Sequence, residues 1–202
     1  MPKTESLKFF SGPIGSEDPL EKKIHSYLEE FIAGNAAAGV VAAGLRVVGI
    51  GLRPVIDHIA FRTLDVEKKA KEFLDFGYAL DKKLGVIEYQ RDWAKAYRKT
   101  GYPALLLVQP FDGARGKESI IPSWVKTFGE KNLHHAAIQV DDIEKAVFYL
   151  EKQSVKMGGS IHGDHGADFR KIFIQPEIKK AKEFTILELV ERHRGYSGFQ
   201  VL

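Results

Sequence analysis

Two histidines occupy matching places in this chain. VIDHIAFRTLDVEKKA ends at Ala70, and LHHAAIQVDDIEKAVF follows further along. Laid over each other 77 positions apart, His58 falls on His135, Ala60 on Ala137, Asp65 on Asp142, Glu67 on Glu144 and Lys68 on Lys145. His134 competes with His135 for this role, but the register favours His135, because His134 aligns with Asp57. A third polar residue belongs with the pair. In FTILELVER, strand alternation sets Leu187 and Leu189 on one face and leaves Glu188 among apolar neighbours on the other. An ionised carboxylate there is costly unless a cation or hydrogen bonds compensate it. Cysteine is absent, so thiolate metal sites, disulfides and cysteine nucleophiles are excluded. Two neutral imidazoles and one carboxylate, with coordination positions left open, match the facial triad of non-haem Fe(II), and the same donors suit Mn(II), Co(II) or Zn(II). A single strand histidine is more often a hydrogen-bonded core residue than a ligand. Two at equivalent repeat positions, with Glu188, tip the balance toward a metal site.

The elements that must position these residues follow from the hydrophobic period. Residues 1–17 read as a loose leader broken by Gly12, Pro13 and Gly15. Residues 18–52 read as a helical cap. Asp18 and Pro19 form a helix start, Leu20, Ile24, Tyr27, Leu28 and Phe31 share a face, and a second helix is expected from Asn35 to Val48. From Val55 the period becomes two. In VIDHIAFRT, Ile56, His58, Ala60 and Arg62 are expected on one face and Ile59, Phe61 and Thr63 on the other. Asp65 then caps a helix ending at Gly77, and GVIEYQRDW, KAYRKT and PALLLVQP read as strands. The polar FDGARGKES and the amphipathic IPSWVKTFGE complete a first module, 54–128. LHHAAIQV, a helix capped by Asp142, FRKIFIQP and FTILELVER make the second, 129–202. The expected fold is therefore α+β. Two βαβββ modules form one curved half-barrel sheet around a metal cavity, within one compact domain, with the helices outside.

Bulk properties narrow the function. The 202 residues are 44% hydrophobic and 28% charged, enough for a packed core. The net charge of +3 comes from interspersed charges rather than a basic block, which argues against nucleic acid as the main partner. MPKTESLKFFSGPIG lacks the apolar core of a secretory signal, and GNAAAGVVAAGLRVVGIGL is Ala/Gly-rich with Arg46 inside, so it reads as a buried helix rather than a membrane span. A cytoplasmic protein is expected, with a homodimer as its candidate assembly.

These residues in this order resemble the vicinal oxygen chelate superfamily, whose members pair βαβββ modules and bind a divalent metal between them. LHHAAIQVDDI is similar to the strand carrying the second histidine of 4-hydroxyphenylpyruvate dioxygenases. KIFIQP with FTILELVERHRGYSGF is similar to their glutamate strand and its glycine-containing exit. PVIDHIAFRTLD looks more like the 2-oxoadipate dioxygenase/decarboxylase (hydroxyglutarate synthase) family, where an arginine four residues after the histidine binds substrate carboxylate. The resemblance covers residues 54–199. It implies His58, His135 and Glu188 as metal ligands, Arg62 as substrate anchor and Fe(II) as the metal. It further implies a 2-oxo acid and O2 as substrates of an oxidative decarboxylation and hydroxylation.

Alternatives stay open at several positions. Arg62 also fits a structural ion pair. Lys171 stands where the phenylpyruvate dioxygenases carry glutamine; it suits a dicarboxylate or polar oxo acid, or is a solvated strand residue. Gln109, at the end of the first module, and Gln139, on the His135 face, are candidate pocket residues. His162 and His165 in SIHGDHGADFR read as part of a mobile loop near the cavity mouth rather than a second metal site, and GYSGF is placed to close the cavity. Related metal sites also serve lyases, isomerases and hydrolases, and a cavity of this kind can belong to a non-enzymatic small-ligand binder.

Overall fold

A computed structural model of the chain describes residues 18–45 and 49–199. The expected leader, 1–17, lies outside the described residues, as do Arg46 and Val48. Asp18 accepts from Leu20 N at 2.8 Å and opens α1 (Pro19–Ala33), which buries Leu20, Ile24, Leu28 and Phe31 along one stripe. Asn35 caps α2 (Ala36–Gly44), accepting from Ala38 N, while its amide donates to Thr185 Oγ1 at 3.1 Å. α2 thus ends at Gly44, short of the expected Val48. The chain must turn into the next strand, and it does so through Gly49 and Gly51, at φ 83° and 81°, a region that disfavours side chains.

The two repeat units follow. β1 (Leu52–Arg62) leads into α3 (Val66–Leu74), where Asp65 accepts from Lys68 N at 2.9 Å. β2 (Ala79–Leu80), β3 (Val86–Glu88), β4 (Asp92–Arg98) and β5 (Ala104–Pro110) come next, then the short α4 (Gly113–Gly116) and α5 (Ile121–Phe128). β6 (His135–Val140) leads into α6 (Ile143–Lys152), where Asp142 accepts from Lys145 N at 3.0 Å. β7 (Phe169–Phe173), the hairpin β8 (Ile178–Lys179) and β9 (Lys182–Glu183), and β10 (Ile186–Arg192) finish the fold. The strand expected over GVIEYQRDW divides instead. β3 stops at Glu88, and β4 begins at Asp92 and runs unbroken through KAYR, because the chain doubles back between them to pair antiparallel.

The eight-stranded sheet has the order β2-β4-β5-β1-β6-β10-β7, with β3 paired to β4. β1 and β6 meet antiparallel at its centre, each flanked by a parallel partner, β5 and β10. One face packs under the helices. Ile59, Phe61, Leu105, Leu107, Ile138, Leu187 and Leu189 share a core with Leu20, Ile24, Phe73 and Leu150. The other face curves around a cavity. Strict alternation fails at Ile56. The β1–β6 register shifts between Ile56 and His58, and Ile56 joins the helix-side core instead of the His58 face. No helix among the described residues is long and apolar enough to cross a membrane.

Candidate metal centre and its cavity

The register at the sheet centre assembles the site. Ala60 of β1 sits opposite His135 and His58 opposite Ala137, while β10 sets Glu188 beside Ala137. Side chains two apart on a strand share a face, so His58, His135 and Glu188 converge. The two Nε2 atoms lie 3.0 Å apart, and Glu188 Oε2 is 3.1 Å from His58 Nε2 and 3.5 Å from His135 Nε2. All three residues are buried, at 3%, 9% and 1% exposure. Among the described residues this is the one histidine–carboxylate group compact enough to hold a metal ion. Two imidazole lone pairs facing each other at that distance repel unless a proton or a cation lies between them. The N2O donor set fits a divalent metal.

Behind His58, its Nδ1 donates to Asp57 Oδ2 at 2.8 Å. Arg192 clamps that carboxylate, with Nε to Oδ1 at 2.6 Å and Nη2 to Oδ2 at 2.9 Å, and Gln139 Nε2 donates to Oδ1 at 3.0 Å. Such a carboxylate–histidine arrangement fixes the ring and presents its Nε2 inward, the orientation a metal ligand requires. Electrostatics follow from these contacts. Burial lowers the His58 pKa, but the bonds to Asp57 and Glu188 outweigh it and hold it above 6.5. Burial pushes Glu188 up, but His58 outweighs it, so the carboxyl stays below its usual range. Burial drives His135 down to about 3, against the pull of Glu188. Burial lowers Arg62 to about 10, partly offset by Asp92 and Glu183.

The cavity beside the triad holds about 290 Å³. Leu106, Val108, Ile121, Phe173 and Ile186 make it apolar; Arg62, His134, Lys171, Asp92 and Tyr89 are its polar residues beyond the triad. Arg62 reaches it, its guanidinium 5.6 Å from the Trp124 ring, and its Nη1 is buried without a hydrogen bond. Lys171 reaches it too, with Nζ 3.6 Å from Glu188 Oε1. Gln139 does not line it, being drawn to Asp57, and neither does Gln109, whose Oε1 accepts from Val66 N at the start of α3. His162 and His165 lie outside the lining as well. His162 exchanges backbone hydrogen bonds with Lys171 and extends the sheet edge. At the C-terminal end, Phe199 packs edge-on against His58 at 5.0 Å and joins the lining. Sequence reading passed over Asp57 and Arg192. Asp57 precedes a candidate ligand, but alternation assigns it to the opposite face, and only the bulge after Ile56 lets it meet the ring. No sequence signal marked Arg192.

The family described as the glyoxalase/bleomycin resistance protein/dioxygenase superfamily matches residues 57–173. No curated protein sequence matches the chain. Among solved structures, a protein from Shewanella frigidimarina, provisionally described as a hydrolase, superposes with a TM-score of 0.72 at 14% identity, covering 93% of this chain and 100% of its own. Hydroxyglutarate synthase from Oryza sativa, in complex with 2-oxoadipate, gives 0.63 at 16% identity over 89% of this chain and 82% of its own. Methylmalonyl-CoA epimerase from Mycobacterium tuberculosis gives 0.53 at 20% identity over 73% and 94%. At these identities the likeness is one of fold.

Proposed function

The chain belongs to the glyoxalase/bleomycin resistance protein/dioxygenase superfamily, and from that premise we propose that it is a metal-dependent enzyme, specifically a mononuclear Fe(II) dioxygenase acting on a 2-oxo acid. The observation that carries the reading is the buried convergence of His58, His135 and Glu188 beside an apolar cavity. These residues would hold the metal. Once bound, Fe(II) supplies activation of O2 and polarisation of a chelating 2-oxo acid.

The rest is done by the protein. Asp57, held by Arg192 and Gln139, fixes the His58 ring. Arg62 stands four residues along β1 from His58, roughly 13 Å by strand rise, and its long side chain leans back into the cavity to take a substrate carboxylate. Lys171 tempers the negative charge of Glu188 and adds a second cation to the wall. Leu106, Ile121, Phe173 and Phe199 exclude water, which strengthens every one of these polar contacts. The rice hydroxyglutarate synthase, which shares the fold and whose structure holds a 2-oxo acid, supports the substrate class.

A second reading keeps the metal and drops O2. In it, Zn(II), Mn(II) or Co(II) acts as a Lewis acid for an isomerase, lyase or hydrolase, as the epimerase likeness favours. The test is to purify the protein anaerobically, load Fe(II), measure the metal bound per chain and follow oxygen uptake against a panel of 2-oxo acids. One metal per chain and substrate-dependent uptake are expected. No metal retained ends both readings, and turnover without O2 moves the assignment to the second.

A further inference from the structure

Among the described residues, two buried side-chain nitrogens lack any hydrogen-bond partner: Arg62 Nη1 and His134 Nε2. Buried polar atoms are rarely left unpaired, and each such exception calls for an explanation. Here both belong to one place. Both residues line the metal cavity, and both rest on Trp124, the guanidinium 5.6 Å from its ring and the His134 ring edge-on at 5.9 Å. Trp124 is itself fixed by its Nε1–H, which donates to Phe184 O at 3.0 Å. His134 is equally fixed. It sits at the bend before β6, its N–H donating to Ala60 O at 2.8 Å and its carbonyl accepting from Ile186 N at 3.0 Å. The Asp92 carboxylate shares the cavity but is engaged by Ser119 Oγ.

The ring's other nitrogen decides what His134 Nε2 offers. His134 Nδ1 and His135 Nδ1 lie 3.4 Å apart, so one can donate to the other only if a single proton sits between them. His135 turns its Nε2 toward His58 and Glu188. An imidazole that ligates a metal through Nε2 carries its proton on Nδ1. That proton then points at His134 Nδ1, which must accept it, so the remaining proton of a neutral His134 sits on Nε2.

We propose that His134 is a specificity-determining residue. In the metal-loaded protein it is locked as the Nε2–H tautomer, and it forms with Arg62 a two-donor seat for a ligand carboxylate that the metal does not hold. The proposal rests on the metal-site reading above, since His135 sets the tautomer only as a ligand. A carboxylate suits the pair. Both groups are donors, one is a cation, and the surrounding Ile121 and Ile186 offer a neutral ligand no polar partner.

The test uses Zn(II)-loaded protein, calorimetric titration with 2-oxoadipate and with 2-oxohexanoate, which lacks the second carboxylate, and 15N NMR of the histidine rings. Preference for 2-oxoadipate is expected, reduced about tenfold or more by His134→Phe and largely kept by His134→Gln, whose amide still donates. The His134 ring in the zinc-loaded wild type should report Nε2–H. With zinc bound, either unchanged preference in His134→Phe or an Nδ1–H tautomer overturns the proposal alone. Wild-type protein that binds no zinc overturns the metal reading and this proposal together. The NMR measurement needs no variant, so it can overturn the proposal even if His134→Phe fails to fold, and His134→Gln then carries the titration.

Discussion

His58 faces two ways. Nε2 points at His135 and Glu188, and Nδ1–H is bound to Asp57, which Arg192 in turn clamps. The same contacts that raise its pKa above 6.5 in the metal-free protein make a proton compete with the metal for the ring. A metal needs the neutral ring, so Zn(II) affinity should fall about tenfold per pH unit below the His58 pKa and level off above it. Asp57→Asn removes one of the two carboxylates that raise that pKa, leaving Glu188, and weakens the ligand, lowering plateau affinity about 10- to 100-fold while moving the fall to lower pH. Competition titrations with a zinc chelator across pH 5.5 to about 9 would show the wild-type and variant curves converging toward acid. Parallel curves would mean that Asp57 does not act through His58. At this scale the convergence of His58, His135 and Glu188 was legible, because repeat spacing and an out-of-place carboxylate are sequence properties. Asp57 was not, because its orientation depends on a one-residue shift in pairing between β1 and β6 that hydrophobic alternation does not encode.

The elements that carry these residues were legible wherever a cap or a period announced them. Asp65 and Asp142 cap α3 and α6 in the same way, each accepting from the backbone three residues on. α2 was overextended because Ala-rich sequence continues a helical pattern past the point where packing stops it. A Cβ at Gly44 would already lie 2.8 Å from the Tyr149 ring, and the chain then needs left-handed glycines to enter β1. Gly51 makes this quantitative. Its φ is +81°, and a Cβ there would meet the Asp142 carbonyl oxygen at 2.5 Å, against backbone that cannot yield. Gly85 has φ +62° but nothing within 4 Å. Gly85→Ala should therefore cost only the backbone strain, about 1 kcal/mol, and Gly51→Ala that strain plus a displacement of the α6 start, about 3 kcal/mol or more. Denaturant melts of the two variants measure the difference. Equal losses would show that the β1 entry relaxes freely around the α6 cap.

In the whole molecule, two similar halves give an unequal site. β1 matches β6 and β5 matches β10, so Leu106, beside Ala60, occupies the place in the first half that Glu188, beside Ala137, occupies in the second. Likewise Ala94, opposite Val108, corresponds to Lys171, opposite Val190. Arg62 corresponds by the 77-residue repeat to Gln139, which turns away to Asp57. The repeat therefore supplies two symmetric histidines, and the single carboxylate and the cations around it are substitutions laid over that symmetry. Sequence could show the duplication but not which strand of the first half matched the glutamate strand, since that needs the parallel β1–β5 pairing. Leu106 lines the same cavity as Glu188. If the pseudo-twofold relation is accurate at the metal, either half can supply the carboxylate. Glu188→Leu should abolish zinc binding. Adding Leu106→Glu to that variant should restore one zinc per chain, with affinity below wild type because Lys171, having lost Glu188, is left as an unpaired cation beside the metal. Metal analysis after gel filtration of both variants, with circular dichroism to verify folding, decides it. A folded double variant without zinc would show that the two halves, alike in backbone, differ at the centre by more than one side chain.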